Sequence, residues 1–133
     1  MSKKEFGIFL PIAKGGWIIS KNTPALDASY KQNREAAIIA DQIGLDFIMS
    51  MGKWRGFGGE TDHWGSSLES VTMMAGIAEV THHAKLIATA HAGLHNPAVT
   101  AKMITTLDHI SQGRAGLNIV ICFNQTGHFN NGI

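Results

Sequence analysis

The chain has 133 residues, 44% of them apolar and 16% charged, and its eleven Lys and Arg against ten Asp and Glu give a formal net charge of +1. That composition suits one folded domain spanning 1–133, and it offers no electrostatic case for nucleic acid or an anionic membrane. The one cysteine, Cys122, excludes an internal disulfide and fits a reducing, cytoplasmic compartment.

The opening run, Phe6 to Ile12, resembles a signal peptide only briefly. Gly7 and Pro11 interrupt it and Lys14-Gly15-Gly16 follows it, so it reads as a first strand. A loop holds Gly15, Gly16, Asn22 and Pro24. Asp27 is placed to cap a helix running to about Ile43, with Ala36, Ile39, Ala40 and Ile43 on one face and Gly44 closing it. Leu45 to Ser50 forms a second strand. After a long glycine-rich loop, Ser66 and Glu69 offer a capping box for a second helix with Leu68, Val71, Ala75 and Ala78 facing inward. Lys85 to Ala90 is a third strand. Asn96-Pro97 supplies a cap and a first-turn proline for a third helix carrying Ala101, Ile104, Leu107 and Ile110. Gly113 sits where that helix needs a left-handed residue, Arg114 stands beside its last carbonyls, and Leu117 to Cys122 makes a fourth strand. The order β-α-β-α-β-α-β predicts a parallel sheet with right-handed crossovers. No apolar run approaches the roughly 20 residues of a membrane span.

Asn118 is the odd residue of the fourth strand, one amide among apolar neighbours. An unpaired buried polar group costs roughly 1–3 kcal/mol, so Asn118 needs a partner. In a parallel α/β protein that partner is often a ligand at the carboxyl end of the sheet, where Thr89 also belongs. The plainer reading of both residues is hydrogen bonding within the protein. The loop Gly52-Lys53-Trp54-Arg55-Gly56-Phe57-Gly58-Gly59 matches neither the P-loop nor the dinucleotide fingerprint. Its aromatics, with Trp64, are costly in water unless they cover a flat ligand or a neighbouring subunit. His91 and His95 are four residues apart, but they fall between a strand and a helix start, and no Glu follows His91 as in zinc proteases. His82 and His83 read as solvated, and Cys122 as a small buried hydrophobe.

Five groups of residues together resemble the bacterial luciferase-like flavin monooxygenases, most closely the pyrimidine-oxidising branch. They are Phe9-Leu10-Pro11-Ile12 with Gly16-Trp17-Ile18-Ile19-Ser20; Arg55-Gly56-Phe57-Gly58-Gly59; Leu68-Glu69-Ser70 with Met74-Ala75-Gly76; Asn96-Pro97 with Ala101-Lys102-Met103; and Asp108 to Arg114 with Gly116 to Val120. The resemblance implies a (β/α)₈ barrel of which this chain is the amino-terminal half. It implies reduced FMN from a separate flavin reductase, O₂, and a small organic substrate. It places Gly52 and Lys53 against the flavin, with Asn118 beside it and Thr89 near flavin and oxygen; Thr89 and Asn118 are the catalytic candidates. A homo-oligomer is expected.

Two departures stand out. Phe123 and Gly127 occupy positions where the family carries a tryptophan and an acid. A complete barrel needs roughly 250 residues, and this sequence ends after its fourth strand. The sequence thus leaves open a fragment of a monooxygenase or a non-catalytic, truncated flavin-binding or association module. A metal hydrolase built on His91 and His95 is a third reading.

Overall fold

The computed structural model describes residues 3–22 and 26–121. Four parallel strands, β1 (Gly7–Leu10), β2 (Phe47–Ser50), β3 (Lys85–Ala92) and β4 (Ala115–Ile121), lie side by side in chain order. Helices α1 (Tyr30–Gln42), α2 (Ser70–Glu79) and α3 (Pro97–Ile110) connect them. Sequential parallel strands with a helix at each crossover are the repeating unit of a (β/α) barrel.

Alternation along β3 divides the sheet's two faces. Leu86, Ala88 and Ala90 are buried on the helix-covered face, and Ile87, Thr89 and His91 lie on the other. The core joins Leu10, Ile48 and Leu86 of the strands to Val71, Met74 and Ile77 of α2 and Leu107 of α3. α2 is the most buried helix, since it packs against β3 and both neighbouring helices.

The helix ends carry three corrections. α1 starts at Tyr30 behind Ser29, not behind Asp27, and it buries Asn33, Ala37 and Ala40. Ile39 and Ile43 are instead 57% and 69% exposed. The spacing i, i+4, i+7 is still a helical stripe, but small alanines allow close approach to the sheet, and larger isoleucines fall off its edge. At α2 the cap is Glu69, not Ser66. Its carboxylate accepts from Val71 N at 2.9 Å and Thr72 N at 2.7 Å, serving the orphan donors of the first turn. α3 follows expectation at its start, with Asn96 Oδ1 accepting from Ala98 N at 2.9 Å. At its end both Gln112 (φ 57°) and Gly113 (φ 84°) adopt left-handed conformations.

Two charged side chains lock the amino end of the sheet. Asp41 accepts from the backbone N–H groups of His82, His83 and Ala84 in the turn before β3. Arg114, between α3 and β4, reaches well beyond the end of α3. Besides Ser111 O at 2.9 Å, it donates to Ala78 O at 3.1 Å, Thr81 O at 2.8 Å, Ala84 O at 2.9 Å and Thr81 Oγ1 at 3.2 Å. The side chains of His82 and His83 are exposed, as predicted. Cys122, Phe123 and Gly127 lie outside the described residues.

Candidate functional site

The carboxyl ends of β2, β3 and β4 meet in a buried polar network. Thr89 stands opposite Asn118 in the β3–β4 register. Asn118 Nδ2 donates to Thr89 Oγ1 at 3.1 Å, and Thr89 Oγ1 donates its own hydrogen to the carbonyl of Ser50. Thr89 N donates to Ser70 Oγ at 2.8 Å, and Ser70 Oγ is hydrogen-bonded to Ser50 Oγ. Three strands and the first turn of α2 are thus joined through side chains that are buried at Ser50, Ser70 and Thr89. Networks of this kind fix one arrangement, because any broken member is left unpaired in a low dielectric. Thr89 lies within β3, which runs on to Ala92, and is not its last residue.

The sequence brought Thr89 and Asn118 to one place, and the internal hydrogen bond is also present. That bond uses only the amide nitrogen. Asn118 Oδ1 has no hydrogen bond among the described residues, and Asn118 lines an open cleft of about 550 Å³. Gly52 borders the same cleft. A Cβ at Gly52 would lie 2.7 Å from His91 Cε1 and 3.0 Å from Thr89 Cγ2, so a larger residue here would have to displace the His91 ring.

The glycine-rich loop is pinned. Lys14 N donates to Ser66 O at 2.9 Å, Trp64 N to Lys14 O at 3.0 Å and Leu68 N to Ile12 O at 3.1 Å, which lace it to the segment after β1. One side of the cleft becomes an aromatic wall. Phe9 packs on Trp17 at 4.6 Å between ring centroids, Trp17 meets Trp64 edge-on at 6.0 Å, and Trp64 meets Phe57 at 5.6 Å. Trp64 Nε1 donates to Gly16 O at 2.7 Å and Trp17 Nε1 to Phe9 O at 3.2 Å, so both indoles are oriented. Lys53 Nζ lies 4.1 Å from the centroid of Phe57 and 5.3 Å from that of Trp64. Trp54 departs from its expected group and packs against His95 at 5.6 Å.

A smaller cavity of about 120 Å³ lies between the start of α2 and the β3–α3 turn. Gly52, Lys53, Thr89 and His91 border both spaces. Burial holds the His91 imidazole below its ordinary pKa, and the nearby Lys53 and His95 add to the effect. No group of three or more His, Cys, Asp or Glu that could hold a metal ion forms among the described residues. Reading the sequence missed Phe9, Trp17 and His91 as wall residues, and Ser50 and Ser70 as members of the network. Phe9 and Trp17 were visible only as parts of the family resemblance. Ser50 and Ser70 gave no signal beyond being polar in otherwise apolar elements.

Sequential parallel strands with polar side chains gathered at their carboxyl ends define a (β/α)-barrel protein. The sequence matches the luciferase-like monooxygenase family over residues 4–127, and the chain belongs to that family. It is 49% identical over 114 residues to the pyrimidine monooxygenase RutA of Variovorax paradoxus (strain S110), covering 86% of this chain and 31% of that protein. Against RutA of Rhizobium rhizogenes (strain K84 / ATCC BAA-868) the identity is 47% over 116 residues, covering 87% and 32%. The chain thus spans about a third of the length of the curated relatives it matches. Among solved structures, a riboflavin lyase (RcaE) with modified FMN and substrate riboflavin superposes with a TM-score of 0.80 at 23% identity, over 98% of this chain and 33% of that one. The oxygenating constituent of 3,6-diketocamphane monooxygenase from Pseudomonas putida, in complex with FMN, gives 0.72 at 23% identity, over 97% and 33%. The β-α-β-α-β-α-β chain is accordingly the amino-terminal half of a luciferase-like barrel.

Proposed function

We propose that this chain forms the flavin-contacting half of a reduced-FMN-dependent monooxygenase that inserts oxygen into a small organic substrate of the pyrimidine kind. The observation that carries the reading is the Thr89–Asn118 pair, fixed at the base of an apolar cleft with one amide oxygen still without a partner. The residues fit a flavin in three ways. Asn118 Oδ1 can accept from a ring N–H. The cleft bordered by Gly52, Thr89 and Asn118, about 550 Å³, has room for a flat ring. The Phe9–Trp17–Trp64–Phe57 wall provides an apolar face. Reduced FMN, delivered by a separate flavin reductase in the cytoplasm, supplies the electrons with which O₂ is activated.

The chain's own residues then have distinct tasks. Asn118 orients the flavin rim. Thr89, its hydroxyl hydrogen committed to Ser50, presents a fixed methyl and oxygen to the space where O₂ enters. Gly52 and Lys53 would border the ring, and the aromatic wall would keep water from it. FMN titration of the isotope-labelled chain tests the binding part. Amide shifts at Gly52, Lys53, Thr89 and Asn118 are expected, with Lys102 and His109 unmoved. Uniform shifts, or none at millimolar FMN, overturn the reading.

A second reading, a non-catalytic flavin-binding or association module, draws on β4. Leu117, Ile119 and Ile121 on its outer face are 38%, 66% and 68% exposed. Flavin binding without oxidation of any pyrimidine in the presence of a reductase would favour it.

A further inference from the structure

His91 is used by none of the roles above, yet it is well placed. It lies two residues beyond Thr89 on the same face of β3 and pairs in register with Val120, so it stands one layer nearer the mouth than the Thr89–Asn118 pair. Its ring packs against the backbone at Gly52, where a Cβ would lie 2.7 Å from Cε1 and 3.2 Å from Nδ1. A glycine there makes room for the imidazole. Its ring nitrogens have no hydrogen-bond partner among the described residues.

Three charged or titratable groups face this position. Lys53 approaches from the loop after β2, and His95 from the β3–α3 turn. Glu69 lines the smaller cavity from the start of α2, but its carboxylate already accepts from Val71 N and Thr72 N. Positive neighbours and partial burial favour the uncharged ring, and a neutral imidazole carries one acceptor nitrogen.

We propose that His91 determines specificity in the cleft, accepting a hydrogen bond from a ring N–H of a planar lactam or imide seated one layer nearer the mouth than the Thr89–Asn118 pair, beside Val120. The inference rests on the flavin-monooxygenase reading only in taking this cleft as the substrate site. It adds the residue that tells an N–H-bearing ring from one without.

The test titrates the chain, with and without FMN, with uracil and with 1,3-dimethyluracil, a ring of similar shape with both N–H groups methylated. At pH 7.5 uracil should bind about fivefold more tightly, the worth of one hydrogen bond. His91→Phe should abolish that preference. His91→Gln, which keeps an acceptor but does not titrate, should retain it and hold it constant from pH 5 to 8. In the parent chain the preference should fade over whatever pH range the imidazole takes its proton, followed through its own ring resonances. Equal affinities in the parent at pH 7.5, a preference surviving in His91→Phe, or a parent preference unchanged once the His91 ring is seen to be protonated would each overturn the inference. The pH comparison of the parent with His91→Gln decides the matter even if His91→Phe folds poorly. FMN-induced shifts at Thr89 and Asn118 without a uracil preference remove His91 and leave the flavin reading standing. A uracil preference without FMN shifts does the opposite.

Discussion

A double-mutant cycle on Thr89 and Asn118 separates what their contact does for folding from what it does for a ligand. Thr89→Val keeps the shape and removes the hydroxyl. The Ser50 carbonyl loses a donor and Asn118 Nδ2 loses its acceptor. Two neutral bonds at about 1 kcal/mol each predict a loss of about 2 kcal/mol in unfolding free energy. Asn118→Ala breaks one of those bonds at a half-buried position, so about 1 kcal/mol is expected. Because the bond is shared, the double variant should lose about 2 kcal/mol rather than the additive 3, a coupling of about 1 kcal/mol. Flavin affinity should respond in the other order. Asn118→Ala removes the amide proposed to meet the ring and should weaken FMN binding about 5- to 150-fold, equivalent to 1–3 kcal/mol. Thr89→Val frees that amide without deleting it and should cost less. Urea unfolding followed by tryptophan fluorescence, with FMN titration of the same four proteins, gives both sets of numbers. If Asn118→Ala lowers the unfolding midpoint but leaves FMN affinity at the parent value, Asn118 is purely structural and the flavin assignment fails.

Arg114→Met should cost about 3 kcal/mol, because it strips donors from carbonyls on two helix ends and a turn; Arg114→Lys should fall between it and the parent. A Met variant within 0.5 kcal/mol of the parent in urea would show that water replaces the guanidinium freely. Burial of Asp41, the largest single influence on its carboxyl, raises its pKa, but the N–H groups of Ala84, His82 and His83 and the charge of Arg114 together hold it below 3.8. A carboxyl depressed on folding stabilises above its unfolded pKa and loses that contribution as pH falls through the folded value. Melting temperature should therefore drop below about pH 4, less steeply in Asp41→Asn; identical acid profiles would remove Asp41 from this role. Lys53→Ala should weaken FMN binding and, in turnover with a reductase, raise hydrogen peroxide release per reduced flavin consumed. Parent values in both would move the loop to a subunit interface. The 133-residue polypeptide alone should self-associate through the exposed outer face of β4, and a compact monomer throughout a sedimentation concentration series would refute this.

The alternation of strands and helices was legible because each strand is a short apolar run bounded by turn residues, and Asn96-Pro97 marks a helix start by chemistry alone. The pairing of Thr89 with Asn118 was legible in outline, since both are polar residues in apolar strands of a parallel sheet. What failed was any inference needing rotation or long-range contact. The face of α1 was misjudged because hydrophobicity favours isoleucine, whereas close helix–sheet approach selects Ala37 and Ala40. The cap of α2 was misjudged because Ser66 and Glu69 have capping-box spacing, while Ser66 is drawn into a backbone pairing with Lys14 and Glu69 caps alone. The aromatic wall could not be read locally, since Phe9 and Trp17 meet Phe57 and Trp64 only after the loop folds back on the first strand.

The two ends of the sheet divide the work. At the amino end, Asp41 and Arg114 consume the free N–H and C=O groups of turns and helix ends, using charge where the chain has nothing else to offer them. At the carboxyl end the side chains are small and neutral: Ser50, Gly52, Ser70 and Thr89. They satisfy one another with short reach, so the backbone layers come close and the network is rigid without charge. Asn118 Oδ1 has no hydrogen bond among the described residues, and one imidazole, His91, stands above it. In a barrel the bottom face serves stability and the top face serves chemistry. Here that division appears in residue types: charged clamps at the amino end, and at the carboxyl end small neutral side chains with an unpaired amide oxygen facing the cleft.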